Sequence, residues 1–231
     1  MKSFVALLFA TLCAACARNA TIGEKYVGTK YINNPLGEGF APDSDPLIRF
    51  DAFDCTTFVE TALADGDVEK LNKIRYKNGV IDFVNRNHFV ETDWLPNNSE
   101  IVIDVTAQYG ATKTRVVKID RANWLKRNYN IDDFTPIKTV KLNYIPYGAI
   151  KKINNHKPLI VLFIGNKYQN TTVLGTDLAV MHMGFLLPGG VLRHASSEFG
   201  RVMDVDFYEY VAKRQKSANN LGIMLLEIKN E

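Results

Sequence analysis

The stretch LAVMHMGFLLPGGVLRHAS, residues 178–196, constrains the fold more than any other part of this chain. Two apolar runs flank Pro188, Gly189 and Gly190, residue types that turn a chain back on itself. The segment therefore reads as a β-hairpin. Alternation puts Val180, His182, Gly184 and Leu186 on one face and Met181, Met183, Phe185 and Leu187 on the other. The second set is wholly apolar and is the expected core face. His182 is then expected to look toward a helix covering the opposite face, with Gly184 leaving room beside it. If Pro188–Gly190 form the loop, Leu187 pairs with Val191 and Gly184 with His194. Residues opposite one another share a face, so His182 and His194 are expected side by side.

Around this hairpin the pattern alternates in type. Phe58, Val59, Ala62 and Leu63 make one apolar stripe of a helix over 55–65, with Asp54 as its cap. The Asp65-Gly66 pair breaks it, and 67–76 resumes helically. Residues 17–50 read as an arm with a short helix at most, and 79–98 as a loop rich in polar and aromatic groups. TRVVKID, KTVKLNYIP, KPLIVLFIGN and LGIMLLEIK read as strands; DRANWLKRNY and DFYEYVAKRQKS read as helices. A helix followed by mostly adjacent strands predicts an α+β fold, the helix packed on an antiparallel sheet.

The 231 residues, 46% of them hydrophobic, are enough for a sizeable core. A formal net charge of +3 names no partner. Runs of Lys and Arg interleaved with aromatics are absent, so nothing supports nucleic-acid binding. The opening MKSFVALLFATLCAACARNA has Lys2, an apolar run from Phe4 to Leu12, then small residues. That is the pattern of a signal peptide and predicts export to the periplasm or cell envelope. CAAC at 13–16 resembles a bacterial lipobox. Cleavage after Ala15 would leave Cys16 as a lipid anchor; cleavage further on would leave a soluble exported protein. Residues 1–16 thus read as a leader and 17–231 as a single domain.

Two of the three cysteines, Cys13 and Cys16, lie in this leader, so Cys55 has no intrachain disulfide partner. An unpaired thiol in an oxidising compartment is a liability unless it is buried or used. Both readings stay open on the residues alone. Cys55 can pack beside Phe58 and Val59. Equally, it sits at the first turn of a helix, where the dipole favours an anion and makes a thiol reactive. A thiol nucleophile needs a nearby imidazole. Four histidines exist: His88, His156, His182 and His194. His156 lies in the polar turn INNHK and reads as idle. His182 is the candidate base and His194 the group that orients its ring. A zinc site built from Cys55, His182 and His194 is the rival chemistry. No closely spaced ligand pair announces one, so neither metal nor cofactor is expected.

The segments FDCTTFVE, RY, NRNHFVETDW, HMGFLL, RHASS and GRV carry a resemblance. From about Gly28 to the last strand, the chain resembles bacterial cell-wall proteins similar to N-acetylmuramoyl-L-alanine amidases. They belong to the NlpC/P60 branch of papain-like cysteine hydrolases. The resemblance implies a papain-like fold with the nucleophile on Cys55, the base on His182 and the polar third member on His194. In related wall peptidases an arm tyrosine and the aspartate before the cysteine help hold the substrate amine; Tyr31 and Asp54 are the nearest matches. NRNHFVETDW resembles the family's insertion beside the cleft. It offers Arg86 and His88 to the carboxylates of a peptide stem, and Ser196 of RHASS joins the substrate-binding candidates.

The function so implied is hydrolysis of an amide bond in peptidoglycan or muropeptide stems, through a thioester on Cys55. Either the lactyl–L-Ala amide or a γ-D-Glu–diamino-acid amide suits this machinery. A wall-binding lipoprotein on a degenerate hydrolase fold and an acyltransferase using the same thiol are the alternatives, and fold alone does not choose among them.

Overall fold

The computed structural model describes residues 22–166 and 172–229. The leader and Cys16 lie outside the described residues. Ten strands form one sheet. They are β1 (Lys30–Tyr31), β2 (Ala52–Phe53), β3 (Val102–Asp104), β4 (Lys113–Ile119), β5 (Lys138–Pro146), β6 (Leu159–Gly165), β7 (Val180–Leu187), β8 (Val191–Ser196), β9 (Arg201–Asp206) and β10 (Asn220–Ile228). Their order is β2-β1-β9-β8-β7-β6-β10-β5-β4, with β3 also paired to β10. The β1–β2 pair is parallel. All other pairings are antiparallel. The fold is α+β with a mixed sheet, so the expected antiparallel sheet is modified only at the arm.

Helix α1 (Cys55–Leu63) starts on Asp54, whose Oδ1 accepts the N–H of Thr57 at 2.8 Å while Thr57 Oγ1 accepts the N–H of Asp54 at 2.9 Å. This reciprocal pair satisfies two backbone donors that the helix cannot. Asp65 and Gly66, both at positive φ, turn the chain into α2 (Val68–Arg75). Helices α3 (Arg121–Tyr129) and α4 (Phe207–Arg214) each begin on an aspartate cap, Asp120 and Asp206.

Strand β6 is buried along its whole length, and its two faces feed two cores. Ile160, Leu162 and Ile164 join Met183, Phe185, Leu187, Met224 and Leu226 against Phe58 and Val59 of α1. Val161 and Phe163 join Leu186, Leu192, Ile223 and Leu225 against Phe207 and Val211 of α4. Burial on both sides is why LIVLFIG is continuously apolar.

This arrangement corrects one expectation. The apolar face of β7 is indeed a core face, but it is the one that α1 covers: Phe58 meets Phe185 edge-on at 5.7 Å. His182 lies on the opposite face, under α4. Strands β1, β2 and β9 were not anticipated. The first two have only two residues each, too few to show a period. In β9 only Val202 is fully buried, so no alternation of apolar residues marks it.

Candidate active site

The hairpin closes as the residues predict. Leu187 pairs with Val191 and Phe185 with Arg193, around a loop with Gly189 and Gly190 at φ +88° and +82°. Past Phe185↔Arg193 no further β7–β8 pairs form. Gly184 lies where the two strands still touch: a Cβ there would stand 2.8 Å from the Arg193 carbonyl oxygen and 2.9 Å from His194 Cβ. The space the glycine opens is taken by His194, so that ring can approach β7.

His182 Nε2 and His194 Nδ1 are 2.8 Å apart, with the rings edge-on at 5.0 Å. Below them, Phe163 and Tyr210 cover the His182 ring, and the Arg214 guanidinium stacks over both aromatic rings. Burial, then the neighbouring ring, then Arg214 hold the pKa of His182 well below the usual imidazole range. Burial and Arg214 push His194 down to about 4. Both rings are therefore neutral at neutral pH, with one proton shared across the Nε2–Nδ1 bond.

Cys55 stands at the first turn of α1, partly exposed. The backbone N–H of Met183, one residue past His182, is directed at its sulfur. This N–H lies beyond the β7–β8 ladder. The thiol also influences Tyr210 on the opposite face. The body of α1 thus packs on one face while the Cys55 sulfur meets the β7 backbone at Met183. Among the described residues no hydrogen bond joins Cys55 to His182; the sulfur's side-chain contact is Thr56 Oγ1 at 3.9 Å. Burial and the Asp54 carboxylate push the thiol up to about 12. The helix start does not lower it as the sequence suggested, because desolvation of the sulfur outweighs the dipole.

Tyr31 is brought to the same place: burial, Cys55 and Asp54 together push its phenol up to about 12. Asp54 is committed to the fold on both oxygens, Oδ1 to Thr57 and Oδ2 to the N–H of Asn34 at 3.2 Å. Ser196 Oγ accepts the N–H of Phe199 at 3.2 Å and is buried. Arg86 and His88 are not part of this cluster. Arg86 donates to both oxygens of Glu38, at 2.8 and 2.6 Å, and to Asp43 at 2.9 Å. His88 bonds the Phe83 carbonyl through Nε2 at 2.7 Å and packs against Phe83 and Trp124. Burial holds it down to about 3. Their expected carboxylate partners are thus met, for Arg86, inside the protein.

Sequence reasoning missed Tyr210 and Arg214. Their signal was present: 207, 210, 211 and 214 form one face of a helix, and that face carries an aromatic and a cation among apolar residues. Among the described residues, no three His, Cys, Asp or Glu side chains are grouped to hold a metal ion. Each histidine of the pair already has one nitrogen on the other.

A protein from Legionella pneumophila shares 27% identity with this chain at TM-score 0.82, covering 97% of this chain and 93% of that one. An N-acetylmuramoyl-L-alanine amidase from Bacteroides uniformis has the same fold at TM-score 0.72 and 22% identity, covering 93% and 99%. A Bacteroides fragilis protein provisionally named a xylanase matches at TM-score 0.69 and 25% identity, covering 90% and 100%. A comparison with curated proteins gave no significant match. The model of the N-acetylmuramoyl-L-alanine amidase-like family matches residues 21–221, most of the chain. The chain belongs to that family.

Proposed function

We propose that this protein is an exported cysteine hydrolase of the papain-like NlpC/P60 type that cleaves an amide bond of peptidoglycan or its muropeptides. The observation that carries the reading is the His182–His194 hydrogen bond, one residue along β7 from the Met183 N–H directed at the Cys55 sulfur. Because Nε2 of His182 is engaged, Nδ1 is the nitrogen left to accept a proton. The proton on Nε2 then points to His194 Nδ1, which fixes His194 as the Nε2–H tautomer. On attack, the thiol proton moves to His182 Nδ1 as the sulfur bonds the carbonyl carbon. The N–H groups of Thr57 and Phe58 are held by Asp54 and that of Thr56 is directed at the Cys55 sulfur, so the Cys55 N–H is the donor we assign to an oxyanion. His182 returns its proton to the leaving amine, and water hydrolyses the thioester. The family favours the lactyl–L-Ala amide as the scissile bond. Tyr31, whose phenol feels both Cys55 and Asp54, would meet the substrate there.

The test is incubation of pure protein with muropeptides and mass analysis of the products. Release of a free stem peptide beginning with L-Ala identifies the amidase; a glycan that keeps L-Ala–D-Glu, with release of a peptide beginning with the diamino acid, identifies the endopeptidase. Cys55→Ala should abolish either product while the fold persists. Muropeptides left intact by the wild-type protein would sink the proposal.

A further inference from the structure

The start of β7 departs from a regular strand. Phe163 faces His182 and Ile164 faces Val180, so Met181 is the extra residue of a β-bulge. In a regular strand, successive N–H groups point to opposite edges. Here the successive N–H groups of Ala179 and Val180 both donate to Glu91 Oε1, at 2.7 and 2.8 Å. Both donors lie at the entry to the strand, immediately before the bulged residue Met181. Converging amides of this kind make a concavity that holds an anion. Its occupant is a buried side chain, 3% exposed, from the π-helical turn Val90–Trp94. On the other edge Ala179 accepts the N–H of Gly165 at 2.8 Å. The edge facing β8 has no strand partner there, since that ladder ends at Phe185↔Arg193. Glu91 thus ties down the backbone that leads into the bulge, where the β8 ladder has already ended.

His182 is the first residue after the extra one. Bulges bend the strand and re-aim the side chain beside them. Two short bonds to one oxygen of a buried side chain hold this backbone in place. We infer that Glu91 is a positioning residue, which holds the bulge in the shape that keeps the His182 ring on His194 and its free nitrogen toward Cys55. The inference rests on the proposed role of His182 as base. It concerns a carboxylate that touches neither substrate nor thiol.

The experiment uses Glu91→Ala, Glu91→Asp and Glu91→Gln in the full chain, read in two independent ways. The first is imidazole ¹⁵N NMR, which reports the His182–His194 tautomers whether or not the protein cleaves muropeptides. Glu91→Ala should shift these signals toward two independently titrating rings. The second is turnover: kcat should fall by up to about 10² with KM unchanged, the size expected for a misplaced catalytic group. Glu91→Gln keeps an acceptor oxygen for both N–H groups and should restore most of the rate. Should the alanine variant fail to fold, Glu91→Asp decides, because its carboxylate is one methylene short of the two amides. Wild-type histidine signals in folded Glu91→Ala or Glu91→Asp overturn the inference. A lowered melting temperature with an unchanged rate does so too, since that marks a structural role only. Shifted signals in a protein that cleaves no muropeptide would support the clamp while refuting the proposed reaction.

Discussion

Two polar clusters read from the sequence as parts of the site, one to bind substrate and one to move a proton, and they differ in what they have left to give. Arg86 makes three short bonds to Glu38 and Asp43. Its side chain is 11% exposed and that of Glu38 is fully buried. The pair also sits under Tyr76, whose hydroxyl donates to Glu38 at 3.0 Å. Asp43 in turn accepts from Asn34, and the N–H of Asn34 reaches Asp54. That cluster ties the arm to the cap of α1. The histidine pair has one bond between its rings, and each ring keeps a second nitrogen with no protein partner among the described residues. A charged residue beside a cleft becomes a substrate contact only when its bonding capacity is unmet.

The sharpest break of this contrast is His182→Ala against His194→Ala. Loss of the general base should cost about 10²–10⁴-fold in kcat/KM. Loss of His194 should cost less, because His182 Nδ1 survives in a looser ring. The measurement is kcat/KM on one muropeptide. Equal losses would show that the two rings act as one unit. A larger loss at His194 would exchange the two roles.

Arg86→Met tests the other cluster. Leaving Glu38 and Asp43 buried without their cation should cost about 3–5 kcal/mol of stability, read as a fall in the urea midpoint. The KM of the folded fraction should not change. A raised KM at unaltered stability would return Arg86 to the substrate.

What was legible in the sequence follows from range. The hairpin, its parity and the pairing of His182 with His194 depend on residues within one loop of each other, and alternation displays them. Asp54 as a cap is equally local. The fate of Arg86 depends on Glu38 and Asp43, 48 and 43 residues away, in an arm with no period to place it. Which face of β7 receives α1 was also illegible. Both faces of the sheet are core, so apolarity could not assign a helix to either. The thiol's pKa was misread for a related reason: a dipole is visible in a helix pattern, whereas burial of the sulfur depends on how the rest of the chain packs around it.

Gly184→Ala is a smaller perturbation of the histidine cluster alone. The new methyl would press on the Arg193 carbonyl and on His194 Cβ. Overpacking of this kind costs about 1–3 kcal/mol. Here it would move His194 off His182, so turnover should fall by roughly tenfold, about the equivalent of the low end of that range. Gly39→Ala is the control, since a Cβ there meets nothing within 4 Å, and it should affect only local backbone strain. Equal rates for Gly184→Ala and the wild type would show that the ring contact tolerates displacement.

The smallest expected effect separates the clusters by pH. His88 is held down to about 3 and His194 to about 4, each first by burial, against about 6.5 in an unfolded chain. Between those values the unfolded chain binds protons that the folded protein refuses. Each group's contribution is therefore complete above about 6.5 and is lost as pH falls toward its folded value. Glu60 opposes this: burial pushes it up to about 7, so the folded protein binds its proton more readily and gains stability as pH falls through that range. The total slope mixes the two signs, and the informative quantity is a difference between variants. His88→Gln should flatten the fall in urea midpoint between pH 6.5 and 4 while leaving the acid limb of kcat/KM in place. His194→Gln should flatten the same fall and also move the acid limb, because His194 and Arg214 are what hold His182 neutral after burial has acted. An acid limb that moves with His88→Gln would join two clusters that the structure keeps apart.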